Sequence, residues 1–127
     1  MMNRSVILSA VTATLAIASV ALAQSPGAAP QASAGAKLYQ SKCSSCHSMV
    51  TNKIGPAHRG VFGRVAGTAP GYKYSAALKG SKITWNAATL DKWLTGPQKL
   101  VKGSKMYLVV ANADERAAII AYLKAQP

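Results

Sequence analysis

Apolar residues recur at helical spacing in three stretches of this chain. The first stretch predicts a helix that leads directly to Cys43. Its packing residues stand three and four positions apart: Gly35, Leu38, Tyr39 and Lys42. No stretch shows the sustained alternation of apolar and polar residues that is typical of a half-buried strand. The pattern therefore predicts an all-α protein, with ordered structure beginning near Ala34.

The other two stretches have clear helix start signals. Asn86 can cap the second helix, which is expected to end at Gly96-Pro97. Asn112 can cap the third, with Glu115 three residues later, and this helix is expected to run to about Ala125. The residues on the predicted buried faces are Leu90, Trp93, Leu94, Ile119, Ile120, Tyr122 and Leu123.

A long region between the first two helices, residues 48–83, is rich in glycine and proline. Ala69-Pro70-Gly71-Tyr72 suits a type II turn, because Pro stands second and Gly third. One short helix is expected from Ser75, which can cap it, to Gly80, which can stop it. A loop region of this length inside a small domain is uncommon, so we expect it to wrap around a core that the polypeptide does not supply.

Residues 1–23 have the pattern of a secretory signal peptide. Arg4 gives a positive start, residues 6–22 are apolar, and Ala21-Leu22-Ala23 suits cleavage. An uncleaved membrane anchor is the alternative, but serines and threonines within the run weaken it. We expect cleavage after Ala23, no stable membrane insertion afterwards, and a location in the bacterial periplasm. Residues 24–33 are then predicted to be a flexible leader and residues 34–127 a single domain.

The charge of the chain is strongly positive. Fifteen Lys and Arg against three Asp and Glu give a formal net charge of +12, and loss of Arg4 with the signal peptide lowers it by one, to +11. A balance of this kind can indicate nucleic-acid binding. This chain is predicted to be exported, however, and it has no arginine-rich run or set of stacking aromatics. We therefore expect no nucleic-acid partner.

The chemistry concentrates in the pentapeptide Cys43-Ser44-Ser45-Cys46-His47. It contains both cysteines of the chain and one of its two histidines. Two thiols at this spacing can form thioethers with the vinyl groups of haem, while the following imidazole ligates the iron. A zinc site would need a second pair of Cys or His ligands, and a redox disulfide would need a βαβ pattern around it. Haem is thus the favoured interpretation, with zinc or a catalytic disulfide as the alternatives.

These residues resemble the class I c-type cytochromes, in particular mitochondrial-type cytochromes c and their bacterial periplasmic relatives. The matching pieces occur in order and cover nearly all of residues 35–125. They are Gly35 with Tyr39, Cys43-Ser44-Ser45-Cys46-His47, Ile54-Gly55-Pro56, Val61-Phe62-Gly63-Arg64, Ala69-Pro70-Gly71-Tyr72-Lys73-Tyr74-Ser75, Ile83-Thr84-Trp85, Gly96-Pro97, Gly103-Ser104-Lys105-Met106 and Ile120-Ala121-Tyr122-Leu123-Lys124. The resemblance implies a small cytochrome c fold, with three main helices, one or two short ones, and long loops wrapped around a covalently bound haem.

The resemblance also implies roles for individual residues at the iron. One haem c would be attached through Cys43 and Cys46, with His47 as the proximal ligand and Met106 as the distal ligand. The carbonyl of Pro56 would accept the second ring N–H of the proximal histidine, which fixes its tautomer. A thioether ligand favours ferrous iron and raises the reduction potential relative to a second histidine.

Other residues would surround the haem or compete for the iron. Tyr74 and Trp85 resemble donors to a buried haem propionate, with Arg64 nearby to offset its charge; the two aromatics also suit an ordinary core. Met49 follows the proximal histidine too closely to reach the opposite face of the haem. In the family pattern the position of His58 is usually apolar and lies on the proximal side.

Two positions depart from the family pattern. Leu78 replaces an asparagine that helps to hold a water near the haem, and Trp93 replaces a tyrosine close to the methionine ligand. Both changes remove polar partners from the distal side. They leave the reduction potential and the strength of the methionine–iron bond open.

The resemblance implies a monomeric one-electron carrier that serves acidic redox partners and is not an enzyme. No nucleophile stands with a base, and no paired carboxylates suggest a catalytic site. Lysines would ring the exposed haem edge and attract acidic proteins; these are Lys42, Lys53, Lys99, Lys102 and Lys105. Two alternatives remain: a haem protein whose labile Met106 gives way to a small gas or peroxide, and a dedicated electron-accepting subunit of a periplasmic dehydrogenase.

Overall fold

The computed structural model describes residues 27–127, and within that range the chain forms five helices. They are α1 (Ala28–Lys42), α2 (Ala76–Gly80), α3 (Ala87–Thr95), α4 (Pro97–Leu100) and α5 (Ala113–Lys124). The described residues form no strand, only one isolated antiparallel bridge between Val65 and Thr84. The predicted all-α class, with three main helices and two short ones, is confirmed. The predicted signal peptide lies outside the described residues.

Helix α1 begins earlier than the apolar spacing indicates. It starts at Ala28, inside the segment predicted to be a flexible leader, rather than near Ala34. Alanine, which recurs through this segment, has the highest helix propensity of all residues. Pro30 lies in the first turn, where its missing N–H removes no intrahelical hydrogen bond. Helix α1 therefore includes residues 28–33 of the segment predicted to be a flexible leader, and helix propensity rather than apolar spacing accounts for this.

The caps of α3 and α5 form where the sequence predicts them. The Asn86 side chain accepts the N–H of Thr89 at 2.9 Å, and the Thr89 hydroxyl accepts the N–H of Asn86 at 2.8 Å. The Asn112 side chain accepts the N–H groups of Asp114 and Glu115 at 2.8 and 3.1 Å. These bonds satisfy N–H groups that have no partner within the helix, and they fix where each helix starts.

Helix α4 follows directly after the point where the sequence predicts α3 to end. Pro97 is its first residue, a position where proline is favoured because its φ angle suits a helix and it lacks only a surplus donor. The carbonyl of Gly96 accepts the N–H groups of Lys99 and Leu100 at 3.0 and 3.1 Å. Gly96-Pro97 thus ends α3, as predicted, and also starts a further turn of helix.

The long region between α1 and α3 is held mainly by turns and side chains. Gly71 has a φ angle of +73°, and the N–H of Tyr72 reaches the carbonyl of Ala69 at 3.5 Å, as expected for the predicted type II turn. The Asn52 side chain links two loops, because it donates to the carbonyl of Pro70 and accepts the N–H of Ala57, both at 2.9 Å. The region therefore folds back on itself without a sheet.

The protein core lies where α1 and α3 each pack against α5. Its buried members include Tyr39, Leu90, Trp93, Leu94, Ile119, Ile120 and Leu123. Helix α1 crosses α5 at Gly35, where an added Cβ would overlap the carbonyl oxygen of Ala118 and lie 2.8 Å from the Cβ of Tyr122. The Tyr39 and Tyr122 rings stand 5.2 Å apart beside this crossing. No helix within residues 27–127 has the length and apolar character needed to cross a bilayer.

The close crossing at Gly35 gives a stability prediction. We expect Gly35→Ala to lower the free energy of unfolding by about 1–3 kcal/mol, because the new methyl group must push α1 away from α5. Chemical denaturation of the haem-loaded protein, followed by circular dichroism, measures this loss. Gly80→Ala is the control, since Gly80 lies at the end of α2 with nothing within 4 Å of an added Cβ. Equal losses in the two variants would contradict this account of the crossing.

Candidate functional site

A cavity of about 360 Å³ lies between the helical core and the loops. All eight predicted site residues line it, although they come from distant parts of the chain. They are Cys43, Cys46, His47, Pro56, Arg64, Tyr74, Trp85 and Met106. Leu78 and Trp93 line the same cavity, whereas Met49 lies outside it, beside a separate surface pocket. The fold thus gathers the predicted residues around one cavity.

The end of α1 presents the two cysteines to this cavity. The N–H of Cys43 donates to the carbonyl of Tyr39 at 2.8 Å, and the N–H of His47 donates to the carbonyl of Cys43 at 2.9 Å, so the helix continues into a tight turn. The two thiols are not joined in a disulfide. Burial is the main cause that raises the pKa of the Cys43 thiol to about 11, and nearby Cys46 adds to the rise while Lys42 opposes it. The turn therefore places two reduced thiols along one wall.

The His47 imidazole is fixed in one tautomer. Its Nδ1 lies 2.8 Å from the carbonyl oxygen of Pro56, so Nδ1 carries the proton and donates it to that oxygen. Burial lowers the pKa of His47, the hydrogen bond to Pro56 opposes this, and the charge of Lys53 adds to the lowering. The ring is therefore neutral at neutral pH, with the lone pair of Nε2 free to ligate a metal.

Backbone packing against the same ring requires a glycine. A Cβ at Gly55 would overlap Cε1 of His47 and lie 2.6 Å from its Nδ1 and 2.7 Å from its Nε2. The N–H of Gly55 also donates to the carbonyl of Cys46 at 2.7 Å. The chain therefore doubles back over the imidazole so closely that no side chain fits between.

His58 lies against the other side of the His47 imidazole. The two rings stack with centroids 3.9 Å apart and planes inclined by 21°. Nδ1 of His58 is 3.1 Å from the hydroxyl of Tyr39. Burial is the main cause that lowers the pKa of His58 well below its ordinary value, and the neighbouring His47 and Arg64 lower it further. Burial also raises the pKa of the Tyr39 hydroxyl. The neutral imidazoles of His47 and His58 and the neutral hydroxyl of Tyr39 thus pack together.

Polar groups that could hold an acidic substituent line a further part of the cavity. The Tyr74 hydroxyl accepts the N–H of Ala69 at 3.1 Å, which leaves its own hydrogen free to donate. The Trp85 indole makes no hydrogen bond among residues 27–127. Arg64 donates to the carbonyls of Ala57 and Arg59 at 3.0 and 3.2 Å, so its charge is fixed at this edge. These donors suit a carboxylate that must be taken out of water.

The loop that carries Met106 lines the cavity as well, and Met106 itself is half buried. The Gln98 side chain on α4 supports this loop. Its Nε2 donates to the carbonyl oxygens of Ser104 and Met106 at 2.8 and 2.9 Å. Sequence reasoning missed Gln98, because its partners lie in an irregular loop that no periodic pattern marks.

The sequence also gave no signal for the hydrogen bond between His58 and Tyr39. These residues are 19 positions apart, and a histidine in a loop is as compatible with the surface as with a buried stack. In the described part of the chain no group of three or more His, Cys, Asp and Glu side chains is arranged to hold a metal ion. The zinc alternative therefore lacks a second pair of ligands there.

The residues around the cavity suit one prosthetic group. Paired thiols, a neutral imidazole with a free Nε2, a thioether and free donors at one edge together match the needs of a haem with carboxylate substituents. A helical fold closed around such a site defines the class of c-type haem proteins.

Comparison with known proteins supports this class. A family model described as Cytochrome c matches residues 32–127, so the chain belongs to the cytochrome c family. Proteins of this family carry electrons by means of a covalently bound haem, and they are generally not enzymes.

Individual relatives match over most of their length. The chain is 43% identical to cytochrome c of Sesamum indicum over 94 residues, which are 71% of this chain and 85% of that protein. It is 45% identical to cytochrome c of Euglena viridis over 93 residues, 71% of this chain and 91% of that protein. The structure of cytochrome cH from Methylobacterium extorquens superposes with a TM-score of 0.71 at 43% identity, covering 74% of this chain and 97% of the other. Ferricytochrome c2 from Rhodopseudomonas palustris gives the same TM-score at 31% identity, covering 76% and 98%.

The packing of Gly55 against His47 predicts a local effect on the site. We expect Gly55→Ala to displace the imidazole, which should alter the visible spectrum of the haem-loaded protein and lower its free energy of unfolding by about 1–3 kcal/mol. Absorption spectra and chemical denaturation measure the two effects. Gly80→Ala again serves as the control, and it should change neither quantity. A Gly55→Ala protein with the spectrum and stability of the wild type would refute the assigned contact.

Proposed function

We propose that this protein is a one-electron carrier whose haem c is attached through Cys43 and Cys46 and ligated by His47 and Met106. The observation that carries the proposal is the single cavity lined both by the Cys43–His47 turn and by Met106. Met49, the only other methionine of residues 27–127, does not line it. Bound haem supplies an iron that alternates between the ferric and ferrous states.

The residues of the chain prepare both sides of the iron. The carbonyl of Pro56 accepts a hydrogen bond from Nδ1–H of His47, so Nε2 keeps its lone pair for the metal and the imidazole is a stronger metal ligand. Met106 supplies a soft thioether, which stabilises ferrous iron. With both ligands in place no coordination position remains for a substrate. The site therefore favours transfer of an electron over catalysis.

Residues at the edge of the cavity complete the site. Tyr74 and Trp85 would donate hydrogen bonds to a haem propionate, and Arg64, which is held by the carbonyl of Ala57, would offset its charge. Without these groups a buried carboxylate would be costly or would take up a proton. Since the indole and hydroxyl hydrogens have no partner in the described chain, both are available for this role.

A second candidate function follows from the distal side. Leu78 and Trp93 line the cavity where the family pattern has polar residues, so neither the asparagine nor the tyrosine of that pattern supports the methionine. If Met106 dissociates readily, the iron opens to a small gas or to peroxide. Carbon monoxide separates this function from that of a closed carrier, because it binds only where the ferrous iron has a free position.

The surface favours an acidic partner protein. Lys42 and Lys105 line the cavity, and the large exposed apolar side chains include Ile54 and Tyr107, which also line it. Lys42 is paired with Glu115 at 3.3 Å, which offsets its charge, so Lys105 is the cation beside this apolar patch. Positive charge at this position would attract a negatively charged redox partner and let it dock near the haem. We place this exchange in the bacterial periplasm, on the strength of the signal pattern in residues 1–23, and expect a monomer.

Visible spectra test the axial ligands. We expect the wild-type protein, produced with haem-attachment machinery, to be low-spin. Its ferric form should show a weak far-red sulfur-to-iron band, and its ferrous form should not bind carbon monoxide. Met106→Ala should abolish the far-red band and bind carbon monoxide, because a ligand is lost. Met49→Leu is the matched control and should behave like the wild type.

Two results would overturn the ligand assignment. Loss of the far-red band in Met49→Leu would show that Met49, and not Met106, is the ligand. A wild-type protein that is high-spin or readily binds carbon monoxide would favour gas binding or peroxide chemistry over electron carriage.

Ionic strength tests the partner surface. We expect the electron-transfer rate with an acidic redox protein to fall by roughly tenfold or more between about 0.01 and 0.15 M salt, because screening shortens the reach of the positive field. Lys105→Gln should lower the low-salt rate. Lys37→Gln removes the same charge from exposed Lys37 on α1, a residue that does not line the cavity, and should have a smaller effect. Stopped-flow kinetics at several salt concentrations measure both, and equal effects of the two variants would argue against docking at the cavity.

A further inference from the structure

The segment that carries Met106 has little support from its own backbone. The N–H of Ser104 donates to the carbonyl of Val101, and the N–H of Val110 donates to the carbonyl of Leu94. Between these two hydrogen bonds the chain forms neither helix nor strand. Residues 105–109 make no backbone–backbone hydrogen bond to any part of the chain that the structure describes. The position of Met106 therefore depends on side chains.

Gln98 supplies a dense set of hydrogen bonds to this segment. Its Oε1 accepts the N–H of Gly103 at 3.2 Å. Its Nε2 lies within donating distance of three oxygens: the carbonyls of Ser104 and Met106 at 2.8 and 2.9 Å and the Ser104 hydroxyl at 2.9 Å. One amide thus joins both ends of the short stretch from Gly103 to Met106.

The chemistry of the amide suits this task. An amide offers two donor hydrogens and an acceptor oxygen, so it can bond N–H and C=O groups of the same loop at once. Ser104 is only 2% exposed, and Gln98 is half buried, so water has limited access to these bonds. Buried polar groups of this kind are costly to leave without a partner.

Helix α4 fixes Gln98 itself. It is the second residue of the helix, directly after Pro97, which is buried and has a restricted φ angle. The carbonyl of Pro97 accepts the N–H of Val101 at 2.8 Å and closes the turn. The short helix therefore acts as a rigid base from which the amide reaches the loop.

A second tie is weaker because it lies at the surface. Nζ of Lys105 donates to the carbonyl of Lys73 at 2.6 Å, and it lies 5.8 Å from the centre of the Tyr72 ring. Lys105 is exposed and its long side chain is flexible, so this contact competes with water. The Lys105 contact does not involve the Met106 carbonyl, which accepts its hydrogen bond from Gln98.

We propose that Gln98 is a positioning residue that holds Met106 in the haem cavity and thereby keeps the iron closed to external ligands. This inference rests on the proposed role of Met106 as the distal ligand. Leu78 and Trp93 leave the distal wall without the polar groups of the family pattern, and the Gln98 amide supports the methionine from the backbone side instead. The amide thus decides how often the distal position opens.

Two variants test the proposal in the haem-loaded protein. Gln98→Leu replaces the amide with an apolar side chain of similar size and removes all of its hydrogen bonds. Gln98→Glu keeps the length and the acceptor for Gly103 but removes the donors and places a negative charge against two carbonyl oxygens. We expect each variant to weaken the far-red band of the ferric form and to raise the carbon monoxide affinity of the ferrous form by at least roughly tenfold, the effect of losing about one net hydrogen bond.

Controls separate a local effect from a loss of overall stability. Gln40→Ala alters an exposed glutamine on α1, and Asn86→Ala removes the cap of α3, whose bonds go to Thr89 and not to the Met106 loop. Neither should change carbon monoxide binding. If Asn86→Ala opens the iron as much as the Gln98 variants do, general destabilisation is the cause and the proposal fails. If Gln98→Glu behaves like the wild type while Gln98→Leu opens the site, the donor N–H groups of the amide are not needed to hold Met106 and the proposal also fails.

The result for the wild type distinguishes this proposal from the one on which it rests. Wild-type protein that binds carbon monoxide readily would overturn the closed-carrier function and the role of Gln98 with it. A closed wild type with closed Gln98 variants would overturn only the role of Gln98. Should Gln98→Leu fail to fold, the band and carbon monoxide affinity of Gln98→Glu decide the matter alone.

Discussion

The hydrogen bond from His47 to the carbonyl of Pro56 is the constraint on which the rest of the site depends. It fixes the tautomer of the imidazole and brings the chain back over the ring, where only a glycine fits at position 55. From this point the loops run around the cavity and meet the helical core on its other side. The long region without regular structure is therefore held at this point as well as by its own turns and by the hydrogen bonds of Asn52.

The elements that could be predicted from the sequence are those with local causes. The caps at Asn86 and Asn112 need only a side chain and the N–H groups two or three residues later, so a short stretch of sequence specifies them. The Cys43–His47 motif is equally local, because covalent chemistry sets its spacing. The remaining site residues depended on the resemblance to a family, since nothing in the spacing of Tyr74, Trp85 and Met106 indicates that they share a cavity.

The features that could not be predicted depend on distant contacts or on propensity without a pattern. The start of α1 at Ala28 follows from alanine content rather than from an apolar face. His58 is partly buried because the fold brings both Tyr39 and His47 against its ring. Gln98 becomes significant only once α4 is seen to form and the Met106 loop is seen to lack bonds of its own.

The crossing of α1 and α5 has a consequence for the order of events during biosynthesis. The helix that delivers the two thiols packs against the last helix of the chain, and the N–H of Gly60 donates to the carbonyl of Gln126 at 2.8 Å. Contacts of such long sequence separation cannot form until α5 has been made. Until then the two thiols at the end of α1 stay accessible, and the proposed attachment of haem to both of them is easiest in that interval.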